Sequence, residues 1–186
     1  MKKRVHPEID ESYEHHMEFY HPPLLPMPDI PVIRHYGSFL ARRRYNFHSG
    51  VDLYAPEGTP VYAIEDGEVV RVRFFTGPEA GCSHWNTTMA VDIEGYTGSL
   101  SYGEITPVEG LKEGDDVKMG QLIGHVKPVL VNDKGKAMSM LHFAIHEIGW
   151  HYVDEDNKDP TKERFYSPTI DPTLLLIQLK NKADKK

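Results

Sequence analysis

Short apolar runs separated by glycine dominate the chain between Pro31 and Tyr152. Several of these runs alternate apolar and polar residues, and turn residues separate them at close spacing. This pattern is typical of antiparallel strands and not of strands that alternate with helices. It predicts an all-β domain, a small antiparallel sheet forming a sandwich or barrel-like structure, over residues 33–152. The runs are PVIRHY, GVDLYAP, TPVYAI, GEVVRVRFF, MAVDIEG, SLSYGEI, QLIGHVKPVLV and SMLHFAIHEI.

The two ends of the chain differ from this middle part. Residues 1–32 are polar and then rich in proline, without a sustained apolar period, which predicts an irregular N-terminal arm. Residues 153–186 start as a polar segment and end in LLLIQLKNKADKK. Proline at an early helical position and lysines at the end predict a short helix that begins near Asp171 or Pro172. We expect this C-terminal extension to pack on the domain and to end in a basic tail.

A weak internal repeat relates two parts of the predicted sheet. The second copy has one extra residue between its valine and its second glycine. Two related strand–turn–strand units predict a sheet assembled from similar halves, although glycine hairpins in general also resemble one another. The first copy consists of Glu57, Gly58, Val61, Gly67 and Val69, and the second of Glu113, Gly114, Val117, Gly124 and Val126.

Composition narrows the class of protein. The chain has 186 residues, of which 39% are hydrophobic and 26% charged, which is ordinary for one globular domain with a real core. The net charge of −7 argues against a nucleic-acid binder, and the basic run Arg42–Arg44 is too short to reverse this. The single cysteine, Cys82, cannot form an internal disulfide.

The N-terminus starts with basic residues but has no apolar stretch behind them, so we expect no signal peptide. The longest aliphatic run, Leu174–Ile177, is far too short to span a membrane. As written the chain is expected to be cytoplasmic, with release by lysis or export by another route as alternatives. The compartment itself stays open at this stage.

His48 and Asp52 are the first candidate metal ligands. They lie four residues apart, and Gly50 between them allows the chain to bend. A neutral imidazole and a carboxylate that converge on one ion offer the nitrogen and oxygen donors that suit zinc. On spacing alone, a surface histidine and an aspartate in a turn are the more common outcome.

The segment MLHFAIH supplies a third candidate ligand. Its alternation places Met140, His142, Ala144 and His146 on one face of a strand and the apolar residues between them on the other. His142 therefore points away from the apolar side. A lone histidine in this position would be solvent-facing or hydrogen-bonded within the core. Together with His48 and Asp52, it would complete the three protein ligands of an open catalytic zinc site.

Three segments resemble the lysostaphin- and LytM-type zinc endopeptidases, which cut peptide cross-bridges in bacterial peptidoglycan. The resemblance extends from about Gly37 to Ile148, and the pair Asp171-Pro172 also resembles the end of such domains. It implies the duplicated hybrid motif fold with a narrow groove, Zn2+ held by His48, Asp52 and His142, and a peptidoglycan peptide or another small-residue peptide as partner. The segments are HSGVDLYAPEGTPVYAIEDGEVV, EGLKEGDDVKMGQLIGHV and LHF.

The chain departs from this family at both catalytic histidines. The family's ligand strand reads His-x-His, and its first histidine is replaced here by Met140. A second histidine usually lies in a Tyr-x-His-Leu segment, which here reads Tyr102-Gly103-Glu104-Ile105. All three ligands remain, so zinc binding is better supported than turnover.

Glu104 is the candidate catalytic residue. Zinc lowers the pKa of a bound water to about 7, and a carboxylate within reach can take its proton. The alternative for Glu104 is an exposed glutamate at a strand end. Because Met140 donates no proton, an oxyanion would be stabilised by zinc or by groove-lining residues. The candidates for the groove are Tyr102, Met140, His146 and Trp85.

Three functions are consistent with these residues. The favoured one is a zinc metalloendopeptidase acting on peptide cross-links of peptidoglycan. The alternative is a catalytically inactive, zinc-stabilised module that binds peptide, glycan or protein through the same groove. A biotinyl or lipoyl carrier is disfavoured, because Ser139 stands where such a domain needs its modified lysine.

Overall fold

The computed structural model describes residues 17–43, 47–78, 83–132, 138–149 and 169–185. Within these ranges the chain forms nine strands of one antiparallel sheet and one α-helix. This confirms the predicted all-β fold with a short C-terminal helix. The elements are β1 (Val51–Tyr54), β2 (Pro60–Tyr62), β3 (Gly67–Phe74), β4 (Met89–Gly95), β5 (Ser99–Pro107), β6 (Asp116–Val117), β7 (Leu122–Val126), β8 (Met140–His146), β9 (Thr169–Ile170) and α1 (Thr173–Asp184).

The strands are not paired in chain order. The main path of the sheet is β1-β8-β5-β4-β3-β6, while β7 pairs with both β2 and β5, and β9 pairs with β8. The strand β8 therefore lies between β1 and β5, although about 90 residues separate β1 from β8 along the chain. This arrangement brings three segments that are distant in sequence next to one another, with β1 at the end of the main path.

The alternation of residues in β8 divides the sheet into two faces. Leu141, Phe143 and Ile145 belong to the hydrophobic core, together with residues such as Leu53 of β1 and Leu100 of β5. Burial of such side chains is the main force that holds the strands together. The opposite face of the same strands is also buried, but it carries the polar side chains Asp52, Ser101, His142 and His146. Polar groups collected on a buried face are the usual mark of a site.

The two copies of the internal repeat pair with each other. The start of the first copy pairs with the end of the second, as in Val61 opposite Gly124. The end of the first copy pairs with the start of the second, as in Gly67 opposite Val117. Each half therefore completes the hydrogen bonding of the other, as expected for a sheet assembled from similar halves.

The helix α1 begins directly after Pro172, where the sequence predicts its start. The carboxylate of Asp171 accepts a hydrogen bond from the backbone N–H of Thr173 at 2.9 Å. Leu176 and Leu179 are fully buried in the same core as the sheet. The helix is thus fixed to the domain by its apolar face, because a helix of this length is marginal in isolation.

The described part of the N-terminal arm, residues 17–32, contains one 3-10 turn and no strand. Leu24 and Met27 are buried in the core, and the carbonyl of Pro23 accepts a hydrogen bond from the backbone N–H of Tyr62 in β2. The arm therefore packs against the domain over these residues. Residues 1–16 and 150–168 and Cys82 lie outside the described residues, and the predicted boundaries at 32 and 152 stay a prediction.

Candidate metal centre

Three side chains converge on the polar face of the sheet at the pairing of β1 with β8. Asp52 lies directly opposite His142 in this pairing, and His48 lies just before β1. His48 Nε2 is 3.0 Å from Asp52 Oδ1 and 3.0 Å from His142 Nδ1, and His142 Nδ1 is 3.1 Å from Asp52 Oδ1. All three residues are buried, and Gly50 is required beside them, since a Cβ there would lie 2.4 Å from the carbonyl oxygen of Phe143.

The three donor atoms fit a zinc ion. Ligand atoms around a tetrahedral zinc with bonds of about 2.0–2.1 Å lie roughly 3.3 Å apart, close to the separations observed between these atoms. Two imidazole nitrogens and one carboxylate oxygen are donors that zinc prefers. Among the described residues no other His, Cys, Asp or Glu belongs to this cluster, so the set leaves a fourth position of a tetrahedron open.

His48 is oriented by the segment that precedes it. Its Nδ1 lies 2.9 Å from the carbonyl oxygen of Ser38, which can only accept a hydrogen bond. The neutral ring therefore carries its proton on Nδ1 and presents the lone pair of Nε2 to the cluster. A hydrogen bond to the second nitrogen of a metal-binding imidazole fixes both its tautomer and its direction.

The two oxygens of Asp52 have different partners. Oδ1 faces the two imidazoles, whereas Oδ2 accepts a hydrogen bond from Arg43 Nη2 at 2.9 Å. The backbone N–H of Asp52 donates to the carbonyl of Gly37. Burial by itself raises the pKa of Asp52, but hydrogen bonds and charge interactions with His142 and His48 outweigh it and hold the pKa far below its usual range. The carboxylate is therefore ionised, as a metal ligand must be.

His142 packs against an aromatic ring. The centroid of Phe75 lies 5.3 Å from that of His142, with the rings inclined at 37°. Burial lowers the pKa of His142, although the neighbouring Asp52 works in the opposite direction. The ring is therefore neutral around pH 7, which is the form that binds metal. A Cβ at Gly103, opposite His142 in β5, would lie 2.5 Å from the ring of Phe75, so the absence of a side chain there makes room for this packing.

Glu104 lies beside this cluster on an irregular part of β5. The register between β4 and β5 shifts, because the three steps from Tyr102 to Ile105 on β5 lie opposite only two steps on β4. Glu104 lies within this bulge and has a backbone φ of 62°. Such a bulge re-aims a side chain, and a non-glycine residue in this conformation is a common feature of active sites. The side chain is buried, and its Oε2 accepts hydrogen bonds from Thr76 and Thr88.

The surroundings of Glu104 favour its protonated form. Burial and, to a smaller extent, the negative charge of Asp52 raise its pKa to about 7, while the two threonine hydroxyls act in the opposite direction. A carboxyl group whose pKa lies near 7 can both accept and return a proton at neutral pH. The carboxyl group stands outside the cluster of ligand atoms but within range of the charge on Asp52.

The sequence model of peptidase family M23 matches residues 46–158, which is more than half of the chain. The chain belongs to peptidase family M23. The three-residue cluster lies within the matched region, and so does Glu104. The family resemblance identified from the motifs HSGVD and LHF is thus confirmed.

Solved structures of similar fold include an antimicrobial peptidase and a protein described as a glycyl-glycine endopeptidase. Lysostaphin from Staphylococcus simulans is 20% identical with a TM-score of 0.55, and the match covers 87% of the M23 chain and 55% of lysostaphin. The lytM protein from Ruminococcus gnavus is 19% identical with a TM-score of 0.54, and here the match covers 91% and 64%. The chain spans less than two thirds of either protein. At these identities the likeness establishes the fold alone.

Two further findings are negative. A comparison with curated proteins finds no match. Within the described ranges, no helix of the M23 protein is long and apolar enough to cross a membrane.

Met140 and His146, two of the candidate groove-lining residues, lie on the same face of β8 as His142. Both are buried, with 5% and 6% of their surface exposed. Burial lowers the pKa of His146 to about 4, so this ring is neutral at pH 7, although Asp92 nearby favours its charged form. Their contact with a substrate stays a prediction.

Tyr102 requires a correction. Its side chain is fully buried in the hydrophobic core, where its ring lies 5.3 Å from Phe143 and its hydroxyl oxygen accepts a hydrogen bond from the backbone N–H of Ile64. The residue therefore lies on the face of the sheet opposite to Asp52 and His142 and cannot line a groove on their side. Alternation along β5 explains this, because Tyr102 and Gly103 point to opposite faces. Trp85 is partly buried and pairs with Leu130, and its role in the groove stays a prediction.

Four residues of the site were not found by sequence analysis. Arg43 was noted only as part of a basic run, and the other three lie at the end of β3 and just before β4. Local spacing carries no signal for any of them, because Arg43 reaches the site through its side chain from the segment before β1 and the other three through the pairing of β3, β4 and β5. They are Arg43, Phe75, Thr76 and Thr88.

Proposed function

We propose that this M23 protein is a zinc metalloendopeptidase that hydrolyses peptide cross-links of bacterial peptidoglycan. The ion would be held by His48 Nε2, Asp52 Oδ1 and His142 Nδ1, whose mutual distances fit zinc. When bound, zinc supplies Lewis acidity that makes a water molecule nucleophilic near neutral pH and polarises a carbonyl group. The family and the open three-ligand cluster support this proposal.

The observation that carries the proposal is the position and state of Glu104. A general base must first be within reach of the proton, directly or through one water, and must then have a suitable pKa. Glu104 is buried and directly follows Gly103, which pairs with His142. Burial and the charge of Asp52 raise its pKa to about 7. It would take the proton from the attacking water and pass it to the leaving amine. A carboxylate would thus replace the histidine that the family resemblance implies at this position.

Stabilisation of the oxyanion is the weaker part of this active site. Met140 carries no proton to donate, and Tyr102 lies in the core. The neutral ring of His146 and the indole of Trp85 are the remaining side-chain candidates named by the sequence. Loss of one good donor costs on the order of 100-fold to 1000-fold in rate, so we expect slow turnover.

A second function is favoured by Met140. Its thioether is buried on the face of the ligands, where it can pack but cannot take part in proton transfer. An M23 fold with this substitution would serve as a zinc-stabilised module that binds peptide or glycan in the groove without cutting it. The two functions share the metal centre and differ only in turnover.

The test is release of muropeptides from purified peptidoglycan by the zinc-loaded protein. A chelator-treated sample and the Glu104→Gln variant serve as controls. The glutamine is matched in size and retains an oxygen to accept from both threonines, but it cannot take a proton. Thr106→Val, an exposed change two residues further along β5, is the control for an unrelated substitution.

Products that require zinc, persist in Thr106→Val and vanish in Glu104→Gln would establish an endopeptidase with a carboxylate base. Their masses would identify the bond that is cut. Absence of products despite bound zinc would exclude hydrolysis of peptidoglycan and favour the binding module. Full activity of Glu104→Gln would remove Glu104 from the mechanism.

A further inference from the structure

Two threonine hydroxyls converge on a single oxygen of Glu104. Thr76 Oγ1 lies 2.9 Å and Thr88 Oγ1 lies 3.0 Å from Glu104 Oε2. The two hydroxyl oxygens are also 2.7 Å from each other. Among the described residues, no group donates a hydrogen bond to Oε1. The carboxyl group is thus bound asymmetrically.

The two threonines are held by the sheet itself. Beyond the last paired residues of β3 and β4, the backbone N–H of Phe75 donates to the carbonyl of Thr88 at 3.0 Å, and the N–H of Thr88 donates to the carbonyl of Thr76 at 2.8 Å. Thr88 is fully buried and Thr76 is partly buried. Because Phe75 also packs on His142, one short segment contacts both the metal ligand and the carboxyl group.

This arrangement leaves one oxygen of Glu104 for another hydrogen-bond donor. Each hydroxyl has a single proton, so either both threonines donate to Oε2, or one donates to the other, 2.7 Å away, which in turn donates to Oε2. In either arrangement the threonine pair occupies Oε2 of the ionised carboxylate. Oε1 keeps its lone pairs, so a water molecule that releases a proton can donate it to Oε1.

We propose that Thr76 and Thr88 are positioning residues that hold Glu104 by Oε2 and leave Oε1 to exchange a proton with the substrate water. This inference rests on the proposed role of Glu104 as the base. It explains how a carboxylate in a strained backbone conformation is kept in one orientation beside the metal centre. Hydrogen bonds to the charged form also counteract the effect of burial on the pKa of Glu104.

The first experiment measures kinetics of the zinc-loaded variants Thr88→Val and Thr76→Val, which remove one hydroxyl each with little change in shape. Misplacement of a catalytic group lowers kcat by about 10-fold to 100-fold, while KM should stay within about twofold because substrate contacts are unchanged. Thr88→Ser and Thr76→Ser keep the hydroxyl and should restore most of the activity. Thr106→Val on β5 is the matched control.

The second experiment does not depend on turnover. The pKa of Glu104 is followed by carbon NMR of labelled glutamate carboxyl groups in the zinc-loaded protein, with the signal assigned by its loss in Glu104→Gln. Removal of either hydroxyl should raise this pKa by about one unit, a tenfold change in proton affinity. The other titratable groups of the site, Asp52 on β1, His48 before it and His142 on β8, are the same in all variants.

The outcomes separate this inference from the function on which it rests. If Glu104→Gln is inactive but both valine variants retain the wild-type kcat and the wild-type pKa of Glu104, the positioning role of the threonines is wrong. The role of Glu104 as the general base is then unaffected. If the wild type releases no product, the NMR titration alone decides the inference. An unchanged pKa in both valine variants overturns it, and an upward shift that serine reverses supports it.

Discussion

Arg43 and Asp52 form an ion pair at the edge of the metal centre, with Arg43 Nη2 2.9 Å from Asp52 Oδ2. Because the guanidinium engages Oδ2, the carboxylate presents Oδ1 alone to the two imidazoles. A ligand oxygen that is already oriented loses little freedom when a metal binds. The pair thus links the segment before β1 to the geometry of the site.

We therefore expect Arg43→Ala to weaken zinc binding. Loss of a partner that orients a ligand typically costs about 10-fold to 100-fold in metal affinity. Competition with a chromogenic chelator measures this directly and needs no activity. Arg42→Ala is the neighbouring control, since the structure shows Arg42 pairing with Phe47 through the backbone. Equal affinity in the wild type and Arg43→Ala would contradict an orienting role.

His48→Ala and His142→Ala should abolish zinc binding. Each change removes one of the three proposed ligands, so metal content should fall from about one ion per chain to near zero. His84→Ala, which changes an exposed histidine, should leave metal content unchanged. Elemental analysis of dialysed protein provides the measurement, and undiminished zinc in either ligand variant would refute the assignment.

Glu104→Gln should stabilise the zinc-free protein at alkaline pH. Below about pH 4.5 the carboxyl group is protonated in both the folded and the unfolded chain. Between pH 4.5 and 7 the unfolded chain releases the proton first, so Glu104 lowers the stability progressively as pH rises. At pH 8 ionised Glu104 lowers the free energy of unfolding by its full amount, about 3 kcal/mol for a pKa shift of this size.

Urea unfolding of chelator-treated protein at pH 4 and pH 8 tests this expectation. The variant and the wild type should have similar midpoints at pH 4 and should diverge at pH 8, with the variant more stable. A residue that destabilises the fold while serving the site is a frequent compromise in enzymes. Equal midpoints at both values of pH would show that the charge of Glu104 carries no such cost.

His146 should make the protein sensitive to acid. Burial lowers its pKa to about 4, so the folded ring stays neutral while the unfolded chain binds a proton as pH falls below about 6.5. The resulting loss of stability grows between pH 6.5 and 4 and reaches about 3 kcal/mol. His146→Gln removes the titration and should flatten this part of the stability curve. His84→Gln, which replaces an exposed histidine in the same way, is the control substitution.

Leu176→Ala should destabilise the fold through α1. Leu176 is fully buried in the core, and truncation of such a side chain costs about 2–5 kcal/mol because it leaves a cavity. Leu174→Ala changes the same residue type in the same helix at a position that is 54% exposed, and it should cost far less. Thermal unfolding of the two variants compares them, and equal melting temperatures would show that the helix does not contribute to the core.

Several features of the protein follow from its local sequence. The alternation of MLHFAIH determines that His142 and Leu141 point to opposite faces, because side chains alternate along any strand. Glycine-separated apolar runs predict the antiparallel strands, and proline followed by leucines predicts α1. The candidate ligands His48, Asp52 and His142 were also identified from the sequence, through a family resemblance that rests on the order of motifs.

Tertiary structure decided the environment of those residues. Tyr102 and Glu104 stand two residues apart, yet one enters the core and the other the polar face, because a bulge in β5 breaks the alternation. The bulge depends on pairing with β4, which local sequence does not specify. From the sequence alone, Glu104 could equally be an exposed residue at a strand end. In the structure it is buried and accepts hydrogen bonds from two threonines.

The same reason explains the residues that sequence analysis missed. Thr76 and Thr88 precede Glu104 by 28 and 16 residues, and each meets it only because β3, β4 and β5 are neighbours in the sheet. Hydrophobic patterning predicts which side of a strand is buried, because this depends only on the polarity of each residue along that strand. The partners of a polar group depend on which strands pair and in what register, and in this protein that was decided by the assembled sheet.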